Sequence, residues 1–271
     1  MRDWRRTKTL NIRKYIEFTL MGFRSFFAYR LNSVASLLNS IIFLALMYAL
    51  WSAIAASGTL EGGLARVLSY IILGQVISSS IFMSVEKLLS NRIREGKIVN
   101  ELKRPMSLRA QVYFQMLGIA LFNFVFVGIP MLFIGLIFLE LSFPGIATII
   151  AFLISMFLGY NIVYALSYIA SMLIFWTKVG WSLRAMRQTI QRLFSGVYFP
   201  LYLLPENLKP VFNFLPFQSM VDAPISIYMN QLNPNQILAI YGEQIMWIII
   251  LLLLGELMWI KAKTKITVQG G

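Results

Sequence analysis

The sequence contains no histidine and no cysteine. That removes imidazole acid–base catalysis, thiolate nucleophiles, disulfides and the usual zinc and haem ligand sets. Acidic residues are scarce too, 11 in 271 against 24 Lys and Arg. Paired carboxylates for hydrolysis or for a divalent metal have little to draw on. There is no phosphate-binding loop: the only Gly-Lys step is Gly96-Lys97, and Ile98 follows it where Ser or Thr would be needed. If ATP drives this chain, a partner must bind it. No secretory leader is expected, because the first thirty residues hold eight Lys or Arg and no long apolar run.

What is present is apolar surface. Hydrophobic residues make up 58% of the chain and its mean hydropathy is +0.72, where a soluble domain has about 45–50% apolar residues. The excess predicts a polytopic membrane protein. Five stretches are long enough to cross about 30 Å of hydrocarbon as helices: 31–56, 64–89, 111–139, 146–176 and 243–260. The stretch 182–203 is ambiguous, because LFSGVYFPLYLL is only 12 residues long and Arg184, Arg187, Gln188, Gln191 and Arg192 precede it. Positions 184, 188, 191 and 195 share one helical face, so this helix spans only if that face meets protein or water. Otherwise it lies at the interface.

Charge separates five spans from six. With six, the segments 1–30, 86–110, 177–192 and 261–271 lie inside and carry 22 of the 24 Lys and Arg, leaving only Arg66 and Lys209 outside. With five, the tail bearing Lys261, Lys263 and Lys265 would sit outside, against the positive-inside rule. The expectation is therefore an all-α protein with six transmembrane helices and both termini cytoplasmic. The same sorting explains the basic pI without nucleic acid.

Three segments stand apart from the spans. In 8–30, Ile12, Ile16, Leu20, Phe23 and Phe27 form one apolar stripe with Arg13, Lys14, Glu17 and Arg24 off it, which predicts an amphipathic helix in the headgroup plane. It is either an anchor or a lever to a cytoplasmic partner. The loop 86–110 is long and charged for a simple connection. Residues 86–95 can extend the second helix inward, Gly96 offers a break, IVNEL a short helix and Pro105 a stop. This is a solvated loop or a docking helix. The segment 196–242 holds six prolines yet stays apolar, which suggests short re-entrant or interfacial helices over the outer mouth.

IREGKIVNELKRPMS after the second span and GVYFPLYLLPENLKPVFNFLPF after the short fifth helix resemble permeases of the type 2 ATP-binding-cassette (ABC) exporter family, nearest to its daunorubicin-resistance-like or viologen-type subgroup. The resemblance covers nearly the whole chain as a single transmembrane permease domain, 1–271. It implies a half-transporter of a prokaryotic cytoplasmic membrane that binds no cofactor itself, with ATP and Mg held by a separate ATPase subunit in two copies. A second permease chain, identical or paralogous, would complete the pathway, meeting this one through the first span and the fifth helix. Arg94, Glu95, Gly96, Ile98, Glu101, Arg104 and Pro105 would form the ATPase-coupling helix. The helix 8–30 would be the connecting helix. Gly196, Phe199, Pro200, Pro205, Pro216 and Phe217 would shape the outer gate.

Polar residues within the spans have two readings. Asn39, Gln75 and Tyr164 either hydrogen-bond neighbouring helices or line a translocation path. Glu256 is a carboxylate well inside an expected span, and its closeness to Lys261 favours a structural, paired or snorkelling role. The functional expectation is a non-catalytic permease that exports an amphipathic or lipid-like substrate. Its rivals are a membrane-embedded lipid transferase, for which the acids are too scattered, and an ATPase-independent secondary transporter or scaffold. A secondary transporter would favour internal inverted repeats, and none is evident.

Overall fold

Helix α2 (Arg30–Ala56) turns through Gly58 into α3 (Gly63–Ile81), and the buried Gln75 amide donates to the Ser40 hydroxyl at 2.9 Å across the pair. This is a computed structural model that describes residues 12–25, 30–58, 60, 63–104, 106–139, 141–229 and 232–265. Every regular element among them is helical. Five stretches are long and apolar enough to cross a membrane: Val34–Ala56, Gly63–Arg94, Leu108–Phe138, Ile146–Thr177 and Pro234–Ala262. They match the five expected spans closely, except that the last begins nine residues early. Its start is fixed by Asn233 and Gln236, which cap each other's backbone N–H groups, with Pro234 in the first turn.

After α3 the chain breaks at 82–84 and resumes as α4 (Val85–Arg94). A turn at Gly96, φ +68°, leads into the short α5 (Ile98–Leu102). Helix α6 (Leu108–Asn123) continues through a π-helical turn at Phe124–Gly128 into α7 (Ile129–Phe138). Pro130 explains that turn, since its ring would clash with the Phe126 carbonyl in a regular α-helix. Then follow α8 (Ile146–Met172) and the single turn α9 (Ile174–Thr177).

Helix α13 (Pro234–Ala262) packs along α8 in the same direction. Tyr241 bonds the Ala151 carbonyl, Gln244 bonds Ser155, and Gly255 lies against Tyr168. The chain between them must therefore return the full length of the bundle. It does so in two pieces, α10 (Trp181–Phe194) and α12 (Gln218–Tyr228), which lie in series on α8. Arg187 of α10 meets Ser167 through Glu86, Met220 of α12 sits on Gly159, and Tyr228 stacks edge-on to Phe152. Between the pieces, a 3-10 turn (Leu201–Leu203) and α11 (Lys209–Asn213) form an excursion. The continuous helix over 182–203 is thus corrected to one ending at Phe194, because Gly196 takes φ +87° and Pro200 follows.

Helix α1 (Ile12–Ser25) is amphipathic as expected, and it runs lengthwise on α6. Tyr15 meets Phe114, Phe23 meets Phe122, and Gly22 and Gly118 let the backbones approach until an added Cβ would strike Gln115 or Thr19. Ile12, Ile16 and Leu20 remain exposed.

Candidate functional site

The α4–α5 loop has two faces. Its tip, Arg94, Glu95, Gly96 and Lys97, is exposed, and a side chain added at Gly96 would meet open space. Lys97 bonds Glu95 at 2.6 Å and holds that carboxyl below the usual carboxylate range. The other face grips the bundle. Ile98 is buried. Glu101, also buried, pairs with Arg92 at 2.5 Å, and Arg92 further donates to Gln115. Gln111 donates to the Glu101 and Met106 carbonyls at 3.0 and 2.8 Å, so α6 holds both sides of the loop's exit. Arg104 lies 4.0 Å from Glu101 and over the Phe18 ring of α1. Of the expected coupling residues, Arg94, Glu95 and Gly96 face out, Ile98 and Glu101 are buried, and Arg104 is exposed but reaches back to Glu101 and Phe18. Pro105 lies outside the described residues.

The root of this loop is the backbone break at 82–84, and side chains from two other helices satisfy it. Ser167 of α8 accepts from the Val85 N–H at 2.9 Å and donates to Glu86 at 2.7 Å. Arg187 of α10 donates to the Met83 carbonyl at 2.9 Å and to both oxygens of Glu86, and it also reaches Gln191. Glu86 is fully buried and Arg187 is 8% exposed. A buried pair persists only with its remaining lone pairs and protons satisfied, as here. Gly180, at the head of α10, touches α4 so closely that a Cβ would sit 2.6 Å from that of Ser90. α4, α8 and α10 are therefore pinned together at the foot of the loop.

The pair was missed from sequence. Sequence pattern puts Glu86 at the start of the charged loop and the polar stripe of the fifth helix on 184, 188, 191 and 195. The structure buries two members of that stripe, Gln191 and Ser195, and adds Arg187 to them. The signal was Arg187 standing i, i+4 from Gln191, but its acidic partner lies 101 residues away in sequence.

At the far end, Gly196 packs against Tyr70, whose hydroxyl would collide with any Cβ there. Tyr70 donates to the buried Asp222 at 2.6 Å, and Gln218 holds the other carboxylate oxygen at 3.1 Å. Phe217 and Phe212 pack on Phe194, Phe199 contacts Phe212, and Pro200 and Pro216 are buried. The expected gate residues thus cluster, except Pro205, which is exposed. A small cavity of about 170 Å³ opens beside Asp222, Gln218 and Tyr202. Tyr70 and Asp222 were not singled out from sequence, since a lone Tyr and a lone Asp carry no pattern.

The three residues considered for a path are not brought together. Gln75 is spent on Ser40, Tyr164 is buried and donates to the Arg109 carbonyl at 2.8 Å, and Asn39 is exposed on α2. Glu256 bonds Arg109 at 3.2 Å, in keeping with a paired role.

The sequence matches the family described as ABC-2 family transporter protein over residues 37–270. The chain belongs to the ABC-2 family of transporter proteins. No curated protein matches it significantly. As an ABC-2 family member it is a multi-pass transmembrane permease, a transport component of a generally non-catalytic kind. ABC-2 membership also implies an ABC ATPase partner.

Proposed function

We propose that the chain is the permease subunit of an ATP-driven exporter whose α4–α5 loop docks into a separate ATPase subunit. The observation that carries this is the loop's construction: an open tip around Gly96, a base locked to α6 through Arg92–Glu101, and a root tied to α8 and α10 through Glu86–Arg187. A solvated connection has no need of two buried ion pairs. Two ATPase copies, binding ATP and Mg, close on each other and push α5. The two buried pairs pass that displacement to α10, and from there to α12 and the far-end cluster of Gly196, Phe199, Pro216 and Phe217.

In this reading α10 and α12 together make a sixth crossing, split between its halves. Their 14 and 11 residues rise about 37 Å end to end at 1.5 Å per residue, enough for about 30 Å of hydrocarbon. Both termini then lie in the cytoplasm of a prokaryotic cell, and the excursion 195–217 is the outer gate. A second permease chain, a copy or a paralogue, completes the pathway, and the substrate is amphipathic or lipid-like.

The test is co-purification from the native membrane. A stoichiometric ATPase subunit is expected, and Gly96→Trp with Arg94→Glu at the exposed tip should release it while leaving the fold intact. An active, ATPase-free protein would refute the reading.

A further inference from the structure

A groove opens at the α5 end between the start of α6, α8 and α13, with a volume of about 450 Å³. Its walls include Arg109, Tyr113, Asn161, Leu252, Glu256 and Trp259. Arg109 and Glu256 lie 3.2 Å apart with side chains 35% and 48% exposed, so the pair faces the opening and is free to take further partners. Beside it, the buried Tyr168 hydroxyl has no hydrogen-bond partner among the described residues, although it lies within electrostatic reach of both charges.

An apolar track leads away from the charged pair. On α8, Phe157, Ile154 and Ile150 are exposed; on α13, Leu253, Ile249 and Ile245 are exposed. Because α8 and α13 run in the same direction, both rows head for the far end. From Glu256 to Ile245 the helix rises about 16 Å, close to the length of an extended acyl chain. Trp259 sits at the charged end, as aromatic side chains do at a membrane–water interface.

We propose that this groove binds a zwitterionic glycerophospholipid, its phosphate on Arg109, its ammonium on Glu256 and an acyl chain along the α8–α13 track. The choice follows from charge complementarity. A guanidinium pairs with phosphate oxygens in a two-pronged contact, while a carboxylate beside it repels an anionic headgroup and attracts an ammonium. A headgroup carrying both signs satisfies both side chains; a purely anionic one satisfies only Arg109. The inference rests on the reading that the α5 end lies at the cytoplasmic headgroup level.

The full chain in detergent, titrated with phosphatidylethanolamine or phosphatidylglycerol and read by native mass spectrometry, tests it. Phosphatidylethanolamine should bind preferentially, by about fivefold for one exposed charge contact. Glu256→Gln should abolish that preference, and Arg109→Gln should weaken both lipids. Equal binding by the unaltered protein, or a preference that survives Glu256→Gln, overturns the proposal. A second measurement needs no variant: phosphatidylethanolamine bearing a headgroup photolabel should attach within 107–114, 157–164 or 252–259. Attachment only elsewhere also overturns it. Neither readout uses an ATPase, so a lost lipid preference with an intact ATPase complex would refute this site alone.

Discussion

At the α5 end the helices are tied by ion pairs, Glu86–Arg187, Arg92–Glu101 and Arg109–Glu256, the first two buried. At the far end, among the described residues, aromatic rings and hydrogen bonds dominate: the buried carboxylate Asp222 is held by Tyr70 and Gln218, and Glu243 accepts from Ser219. The described ion pair there, Lys209–Glu206, is an exposed i,i+3 contact. The difference is mechanical. A buried bidentate pair has one good geometry and loses several kcal/mol outside it, so elements joined by it move together. Rings packed at 5–6.5 Å, as Phe194, Phe199, Phe212 and Phe217 are, slide through several arrangements of similar energy. On the proposed reading, one end transmits displacement and the other yields to it.

The largest test of this contrast is Arg187→Ala, which leaves Glu86 buried and unpaired and should cost about 3–5 kcal/mol in reversible unfolding. The double change Glu86→Met with Arg187→Met removes both charges and should cost far less. Equal losses would erase the distinction between the ends. At the far end, Gly196→Ala meets both the positive φ and the Tyr70 hydroxyl. It should lower stability by about 2 kcal/mol, read as a shift in melting temperature.

Tyr70→Phe is milder. It leaves Asp222 with Gln218 as a remaining donor, so about 1–2 kcal/mol is expected. A loss as large as that of Arg187→Ala would make the far end as rigid as the other. The smallest effect belongs to Glu95. Lys97 holds its carboxyl below the ordinary value, so any stabilisation is present above the unfolded pKa and fades only as pH falls through the lowered folded one. Because the side chain is exposed, Glu95→Gln should leave the melting temperature unchanged between pH 5 and 8. A clear shift would mean that the tip is packed rather than open.

Much of the fold was legible because hydrophobic length alone marks a membrane helix. The break at Gly96, the short helix 98–102 and the five long spans all follow from local pattern. The α13 start was readable too, in the Asn233-Pro234-Asn235-Gln236 cap, but the apolar run drew the boundary inward to 243. Prolines in 196–242 pointed to a broken, apolar segment without showing that α10 and α12 would lie in series on α8. What stayed hidden was long-range pairing. Glu86 with Arg187, Arg109 with Glu256 and Tyr70 with Asp222 are separated by 101, 147 and 152 residues. No periodicity links such positions. The α1–α6 packing was hidden for a related reason: Gly22 and Gly118 matter only once the two helices are side by side.

The central claim is that motion of α5 reaches the far end through Glu86–Arg187. The absence of native cysteine permits clean spin labelling at Asn100→Cys and Glu206→Cys, two exposed sites at opposite ends. In the assembled transporter, the distance between them should change on ATP binding. In the Glu86→Met, Arg187→Met background, with the ATPase still bound, the change should disappear. The same ATP-dependent change with the pair removed would contradict the account.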